Sequence, residues 1–429
     1  MNNPIALSKN RSWISIFAVT AAFFLLILLP GFATGEEENK DENEEENKID
    51  EEMQEMVNSH FFRLSIFRIQ PLLVAGTGYD SNTLSSPIGQ EIEDYYLTVA
   101  PGASAAVKLG NRSYFAVEEI VGFIYHQEIE ALRHIVSSTS AEFVTGSKNV
   151  LFSVRGGFSN PKARVNLEFD VPVQQYRTTG SANLTYGVRP NTDLLFHVDG
   201  IRVTYPDDEE LDTSLPPPDD TFAFRYGAGV DQRLTDDILL TFDGGVGYYK
   251  ILNEQDQEKR DFWDLLGGFI FTGDKLVGKA RAGYGKSDKS TTQGEFSNFL
   301  INTELDYYFG RRSRFGGSIN RSRSISNLIP DSFVVTTEGG LRATLPLSDI
   351  LAITMRGTVG SNNYGDNFFL DLGPITKDDY YLVGSSLEID LPSKFKMSVG
   401  VNYINRDSNQ PTLTKKRLVL VAAFGLEGG

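Results

Sequence analysis

Residues 394–405 of this 429-residue chain read KFKMSVGVNYIN. Every second side chain is apolar, and small or polar side chains stand between them. The apolar positions are Phe395, Met397, Val399, Val401 and Tyr403. Successive side chains of a β-strand point to opposite faces of the sheet, so such a strand has one apolar and one polar face. The alternation recurs from about Ile69 to the C-terminus, which predicts a long series of half-apolar strands.

Turn signals divide this region into segments that begin with Ile69–Tyr79 and end with Arg417–Leu426. Tight turns alternate with longer polar loops, and the segments number about eighteen (16–20). We therefore predict an all-β fold, a transmembrane antiparallel β-barrel with short periplasmic turns and long external loops. The alternative is a soluble β-sandwich or β-solenoid. An outward face this aromatic would aggregate in water unless it were covered.

The composition agrees with a barrel better than with a helical membrane protein. Apolar residues make up 40% of the chain, and only one run approaches the twenty or so apolar residues that a membrane-spanning helix needs. The chain has no cysteine, so neither disulfides nor a lipid-anchored N-terminal cysteine is expected.

The first 65 residues differ from the rest. Residues 1–35 resemble a signal peptide, with an apolar core over Trp13–Pro30 and small residues at Ala33-Thr34-Gly35, and the alternative is an uncleaved anchor. Residues 36–65 begin with an acidic run that predicts a disordered periplasmic tail. A periplasmic partner or loose calcium binding is the functional alternative for this tail. Residues 66–429 form the predicted barrel. The net charge is −17, and no part of the chain is basic enough to suggest nucleic acid as a partner.

The phase of the alternation assigns charged residues to the lumen. These candidate selectivity residues are Arg155, Arg177, Arg225, Lys279, Arg281, Arg314, Arg342, Arg356, Asp231, Asp243, Asp264, Glu304, Asp306, Glu338, Glu388 and Asp390. They either form a ladder of cross-strand ion pairs or create separate basic and acidic regions that orient polar solutes. The second hypothesis places the basic region in the N-terminal half, where Arg155 and Arg177 would form a patch. The alternative for Arg155 is an ion pair with Glu142.

Three local features lead to further predictions. The segment 361–379 is predicted to be a long loop that constricts the lumen through Phe368, Phe369 and Leu370, or else packs over the rim. The apolar phase shifts at Ile201, which predicts a β-bulge there. Glu118 and Glu119 are adjacent, so one of them must face the apolar side or lie beside a bulge.

The sequence offers no recognisable catalytic chemistry. Its four histidines, His60, His126, His134 and His197, have no metal-ligand spacing, and no G-x-S-x-G motif occurs. An acidic loop, 206–220, lacks the order of an EF-hand, although weak binding of divalent cations is an alternative. We therefore expect no enzymatic activity, no cofactor and no metal site.

The start of the predicted barrel carries a short motif. Phe67-Arg68-Ile69-Gln70-Pro71 is followed by Gly78-Tyr79-Asp80-Ser81-Asn82, and then by Tyr95-Tyr96 and Pro101-Gly102. This motif resembles the opening of a family of outer-membrane β-barrel porins, which includes barrels associated with exopolysaccharide export. The resemblance implies an outer-membrane channel, with polysaccharide as one cargo. Such barrels commonly end on an aromatic residue that the assembly machinery recognises. In this chain five residues follow Phe424.

Two functions follow as hypotheses. The first is a porin-like channel that passes polar solutes or an exported polysaccharide through a charged aqueous lumen, with outer-membrane lipid and the assembly machinery as partners. The second is a structural or adhesive barrel with a blocked lumen, whose external loops bind a partner. Both place the protein in the outer membrane with its termini in the periplasm. The sequence does not specify the cargo or the oligomeric state.

Overall fold

The computed structural model describes residues 62–64, 67–110, 112–164, 172–206, 219–252, 259–288, 296–310, 312–325, 333–370, 373–391 and 395–426. In these ranges the chain is almost entirely β. The strands are β1 (Phe62–Leu64), β2 (Phe67–Asp80), β3 (Asp94–Lys108), β4 (Ser113–His126), β5 (His134–Ser147), β6 (Val150–Ser159), β7 (Lys162–Arg164), β8 (Pro172–Gln174), β9 (Tyr176–Arg189), β10 (Thr192–Thr204), β11 (Thr221–Thr235), β12 (Ile238–Ile251), β13 (Lys259–Thr272), β14 (Leu276–Ser287), β15 (Phe296–Tyr308), β16 (Arg314–Ile325), β17 (Phe333–Pro346), β18 (Leu351–Leu370), β19 (Gly373–Asp390), β20 (Phe395–Ser408) and β21 (Lys415–Leu426).

Eighteen of these strands, β2–β6 and β9–β21, form one closed antiparallel barrel. Each strand pairs with its neighbours along the chain, and β21 pairs with β2 to close the wall. The short β1 adds to the start of β2, and β7 pairs only with β8. Single turns of 3-10 helix occur at Glu130–Leu132 and Pro411–Leu413. The predicted eighteen-strand barrel is confirmed.

The two faces of the wall differ as the alternation predicts. Large apolar side chains on one face are exposed, such as Val359 (64%), Ile135 (62%) and Leu341 (60%). Val399, predicted to face lipid, is 51% exposed on this face. The opposite face carries the charged residues and is the lumen face. An apolar outer face and a polar lumen are the arrangement of barrels that reside in lipid.

Short and long connections alternate around the barrel, which defines a short-turn end and a long-loop end. The segment 361–379 departs from the prediction. Most of it is β structure, because β18 runs on to Leu370 and β19 begins at Gly373. The polar, β-branched and aromatic residues of this segment pair across a register shift between Asn363 and Phe368. The predicted irregular loop is therefore wrong, and it is a long β-hairpin instead.

The strand registers settle two further predictions. Strand β10 pairs with both neighbours without a shift near Ile201, so the predicted bulge there is wrong, and the only shift in its pairings lies between Thr192 and Asp193. Strands β3 and β4 also keep one register, which places Glu118 on the lumen face and Glu119 on the outer face. Glu119 accepts a hydrogen bond from the Thr139 hydroxyl directly opposite, and this bond satisfies part of its polarity.

The predicted signal peptide and most of the acidic tail lie outside the described residues. The tail was predicted to extend to residue 65, but Phe62–Leu64 form β1 against β2. No helix within the described ranges is long and apolar enough to cross a membrane.

Candidate functional site: the charged lumen wall

All sixteen charged residues predicted to line the lumen fall on one face of the wall. Residues directly opposite each other on paired strands share a face, and the registers link these positions around the barrel. For example, Arg155 lies opposite Ser181, which lies opposite Asp199, which lies opposite Arg225. Their position is a property of the structure, whereas their role in selectivity stays a prediction.

Glycines on the lumen face let long side chains lie flat against the wall. Arg225 of β11 lies across Gly245 of β12 to reach Asp264 of β13. A Cβ at Gly245 would be 2.5–2.6 Å from the guanidinium group, so a larger residue there would displace the Arg225 side chain. The abundance of glycine in these strands thus permits ion pairs between strands that are not neighbours.

Arg225 is the centre of an acidic cluster, which we define as Arg225, Asp243, Asp264 and His197. Its Nη2 lies 2.7 Å from Asp243 Oδ1 and 2.7 Å from Asp264 Oδ1. Its Nη1 contacts His197 Nε2. A guanidinium group only donates, so Nε2 accepts and the ring proton is on Nδ1, 3.4 Å from Asp243 Oδ2. Asp199 is opposite Arg225 in register, so three carboxylates surround this one guanidinium group.

Three arginines form a basic cluster, Arg314, Arg342 and Arg356, on β16, β17 and β18. Arg342 crosses Gly316 to pair with Asp306, and its Nη2 is 3.7 Å from Glu304. Arg356 crosses Gly384 to the amide of Asn402, with Nη2 2.7 Å from Oδ1. Arg314 donates to the Thr344 hydroxyl at 3.3 Å. This part of the wall is net positive.

The charge separation therefore differs from the predicted one. Arg155 lies in the N-terminal half but pairs with Glu142 at 2.7 Å, as the alternative hypothesis stated. Arg177 is four residues along β9 from Ser181, the residue opposite Arg155, or about 13 Å at 3.3 Å per residue. The predicted Arg155–Arg177 patch is wrong, and the net positive region is the basic cluster in the C-terminal half.

The remaining predicted lumen residues are distributed around these clusters. Lys279 faces Glu304, and Glu338 accepts a hydrogen bond from the Tyr380 hydroxyl at 3.1 Å. Asp390 pairs with Arg312 at the short-turn end. Two others, Asp231 and Glu388, face Thr241 and Ser398.

A cavity of about 720 Å³ adjoins the acidic cluster on the lumen side. Its lining includes His197, Arg225, Arg281, Asn302 and Asn320. Arg281 and Asn302 lie opposite each other, and the buried Arg281 Nε and Asn302 Oδ1 have no hydrogen-bond partner within the described structure. A donor and an acceptor thus remain for water or a solute inside the barrel.

A small hairpin narrows the long-loop end. The β7–β8 hairpin follows β6, but Arg164 on it reaches the start of the barrel, where its Nη2 donates to Thr83 O at 2.6 Å and Asn82 O at 3.1 Å. It also lies 3.4 Å from Asp80 Oδ2. Four strand spacings of about 4.8 Å, roughly 20 Å in all, separate β6 from β2, so the hairpin crosses a sector of the mouth.

Asp80 also joins the two ends of the barrel. It accepts from Arg417 Nε at 2.8 and 2.9 Å, and Arg417 Nη2 lies 2.6 Å from its Oδ2. We call Arg164, Asp80 and Arg417 the rim latch. Sequence reasoning missed this latch. It placed the constriction in 361–379, where the side chains of Phe368, Phe369 and Leu370 lie outside the described structure, and that role stays a prediction.

Two histidines near the long-loop end stabilise loops. His126 Nδ1 lies 3.0 Å from Asp94 Oδ2, but both Asp94 oxygens also accept backbone N–H groups, from Glu128 and Ile129. His134 Nε2 accepts the backbone N–H of Lys162 at 3.1 Å. This geometry anchors the loop at 127–133 and the start of β7. Within the described residues no group of His, Asp or Glu is arranged to hold a metal ion.

Comparison with known proteins finds similarity only among solved structures. No family model matches the chain, and no curated protein matches it significantly. The chain is similar to OccK2 (OpdF) of Pseudomonas aeruginosa, solved in complex with glucuronate, with a TM-score of 0.47 and 11% identity over 83% of this chain and 98% of that one. It is also similar to OccK5 (OpdH) of the same organism, with a TM-score of 0.45 and 15% identity over 83% and 98%. The FrpB iron transporter of Neisseria meningitidis has a TM-score of 0.43 and 13% identity over 79% and 63%. At these identities and TM-scores, no ligand or activity is carried over to this chain.

Proposed function

We propose that this protein is an outer-membrane channel that passes small polar solutes through its charged lumen. The observation that carries the proposal is the closed eighteen-strand wall with an apolar outer face and a charged inner face. About eighteen strands enclose an aqueous channel, because side chains alone cannot fill an interior of that width.

The outer face supports a location in lipid. Aromatic pairs lie on it near the long-loop end, including Trp263–Tyr284 with ring centroids 5.9 Å apart and Tyr381–Tyr403 at 5.9 Å. Toward the short-turn end, Phe395 stacks on Phe424 at 5.1 Å. Aromatic girdles at both interfaces flank the apolar band of outer-membrane barrels. The described chain starts and ends at the short-turn end, which we propose faces the periplasm.

The narrowing of the long-loop end is our reason for proposing a small cargo. Arg164 attaches the β7–β8 hairpin to the wall at β2, four strands from β6, so the hairpin crosses a sector of the long-loop end and narrows it. An exported polysaccharide chain, the cargo implied by the family resemblance, would have to pass this latched mouth. We therefore propose small polar solutes in preference to a polymer. The same hairpin is the observation that favours the rival function, an adhesive barrel with a blocked lumen.

Reconstitution of the purified protein in a planar lipid bilayer tests the proposal. Stepwise ion conductance is the expected result. The control is the same protein after thermal denaturation, which should add no steps. A wild-type protein that inserts, resists heat on gels as a folded barrel and yet never conducts, even with Arg164 replaced, would overturn the channel and favour the rival.

A further inference from the structure

We propose that the basic cluster of Arg314, Arg342 and Arg356 is a binding station for one oxyanion group, a carboxylate, phosphate or sulfate, of a permeating solute. This inference rests on the proposed channel and specifies the chemistry of its preferred cargo. Rings of arginine are a known way for pores to select anions and phosphates.

The station begins with two like charges that face each other. Arg342 of β17 and Arg356 of β18 are directly opposite in register, so their Cβ atoms are about 4.5–5.5 Å apart. Like charges so placed destabilise a sheet unless they are compensated. The two side chains turn away from each other, Arg342 toward Asp306 and Arg356 toward Asn402.

The compensation is unequal. Asp306 is a carboxylate and neutralises Arg342, whereas Asn402 offers Arg356 only a neutral amide oxygen. Arg356 is also exposed to the lumen. A guanidinium group has five N–H donors, and Asn402 accepts from only two of its nitrogens. Among the described residues no carboxylate forms an ion pair with Arg356, so its positive charge and further donors face the lumen.

The next row of residues paired across the strands adds hydrogen-bond donors and contains no acidic residue. Arg314 is directly opposite Thr344, and Thr344 lies opposite Thr354, with their hydroxyl oxygens 3.1 Å apart. Thr354 in turn lies opposite Ser386. The two neighbouring rows together carry three guanidinium and three hydroxyl groups, a combination that suits the several acceptor lone pairs of an oxyanion.

The acidic cluster provides an internal contrast. Arg225 also crosses a lumen glycine, but two carboxylates and a histidine surround it. An anion that approached Arg225 would meet the carboxylates of Asp243 and Asp264. The same residue type therefore has two different roles in one barrel, and the partner decides which: carboxylates make Arg225 structural, and an amide leaves Arg356 available.

The decisive variant is Asn402→Asp, which is nearly isosteric and leaves Arg356 in place. It gives Arg356 the carboxylate partner that Arg342 already has. Arg356→Gln removes the charge itself, and Arg155→Gln is the matched control, because Arg155 is an exposed lumen arginine with a carboxylate partner. Heat resistance on gels verifies that each variant is folded.

The readout is inhibition of potassium chloride conductance by sulfate, inorganic phosphate or acetate. One unit charge about 4 Å away contributes about 1 kcal/mol in water, so we expect Asn402→Asp and Arg356→Gln each to weaken inhibition about fivefold. Arg155→Gln should leave it unchanged. If sulfate and phosphate inhibit conductance and acetate does not, the ligands are inorganic oxyanions. If acetate inhibits as well, the station also binds the carboxylates of organic acids. Unchanged inhibition in Asn402→Asp would overturn the station.

A second measurement separates this inference from the channel itself. In detergent, sulfate at constant ionic strength should raise the thermal unfolding temperature of the wild type and not that of Asn402→Asp. If the wild type never conducts but this difference is observed, the channel proposal fails and the station stands. If conduction is normal and no difference appears in either assay, the station fails alone.

Discussion

Replacing Arg164 by alanine should release the β7–β8 hairpin from the end of β2 while leaving the barrel intact. The side chain of Arg164 is only 15% exposed and donates two hydrogen bonds to backbone carbonyls, at 2.6 and 3.1 Å. Hydrogen bonds to a charged group contribute about 1.5–3 kcal/mol each. A net loss of about 3 kcal/mol would raise the population of the released hairpin about a hundredfold. Asp80 keeps Arg417, so the closing seam stays paired.

Hydrogen exchange measured by mass spectrometry would detect this release. The backbone N–H groups of Lys162 and Gln175 are hydrogen-bonded in the closed hairpin, to His134 and to Pro161 O at 2.9 Å. In Arg164→Ala their exchange should accelerate about a hundredfold, and single-channel conductance should rise. Arg189→Ala, an exposed arginine at the short-turn end, is the control. If the hairpin exchanges at the wild-type rate in Arg164→Ala, the latch does not hold it.

Three further predictions test the two faces of the wall. Val399→Arg on the outer face should cost about 2–4 kcal/mol near the membrane midplane and impair assembly, whereas Ser398→Arg on the lumen face should assemble normally, as urea titration in lipid vesicles would show. Gly245→Ala should destabilise the barrel by about 1–3 kcal/mol, because the new Cβ would displace the Arg225 guanidinium group from Asp264, and the same titration measures it. Arg155→Glu with Arg177→Glu should leave the barrel heat-resistant on gels, since an exposed ion pair contributes about 0–1 kcal/mol, while the reversal potential shifts toward cation preference.

Controls make these outcomes interpretable. Gly110→Ala should be neutral, because nothing lies within 4 Å of a Cβ at that turn. Equal effects of Val399→Arg and Ser398→Arg would contradict the assignment of the faces. Loss of folding in the double charge reversal would show that those arginines are structural, and an unchanged reversal potential would place them off the conduction path.

How much the sequence predicts depends on how far apart in the chain the interacting residues lie. Glu142 and Arg155 are equidistant from the tight turn at Lys148-Asn149, so the register of one hairpin suffices to pair them. Arg342 and Arg356 are likewise equidistant from Asp349, so the register of one hairpin also places them opposite each other. The alternation of apolar and polar residues along each strand was likewise enough to predict the two faces of the wall and the number of strands.

Other features need information that no single turn contains. Arg225 and Asp264 belong to strands separated by a third strand, so their contact requires two registers and a glycine between them. Arg164 and Asp80 lie 84 positions apart, and nothing local in the short β7–β8 segment indicates where the hairpin points. The long hairpin at 361–379 was mistaken for a loop because its polar residues resemble those of loops.

The seam between β2 and β21 has a consequence for the order of events during biogenesis. The first and last wall strands meet there, and the Asp80–Arg417 ion pair joins residues 337 positions apart. That contact cannot form until synthesis of the chain is nearly finished, so the wall must remain open during most of its assembly. Arg164 docks on the same carboxylate. The contacts of Arg164 described above are with residues at the end of the first wall strand, so the hairpin can dock before the last strand arrives, and Asp80 gains its second guanidinium partner only when the barrel closes.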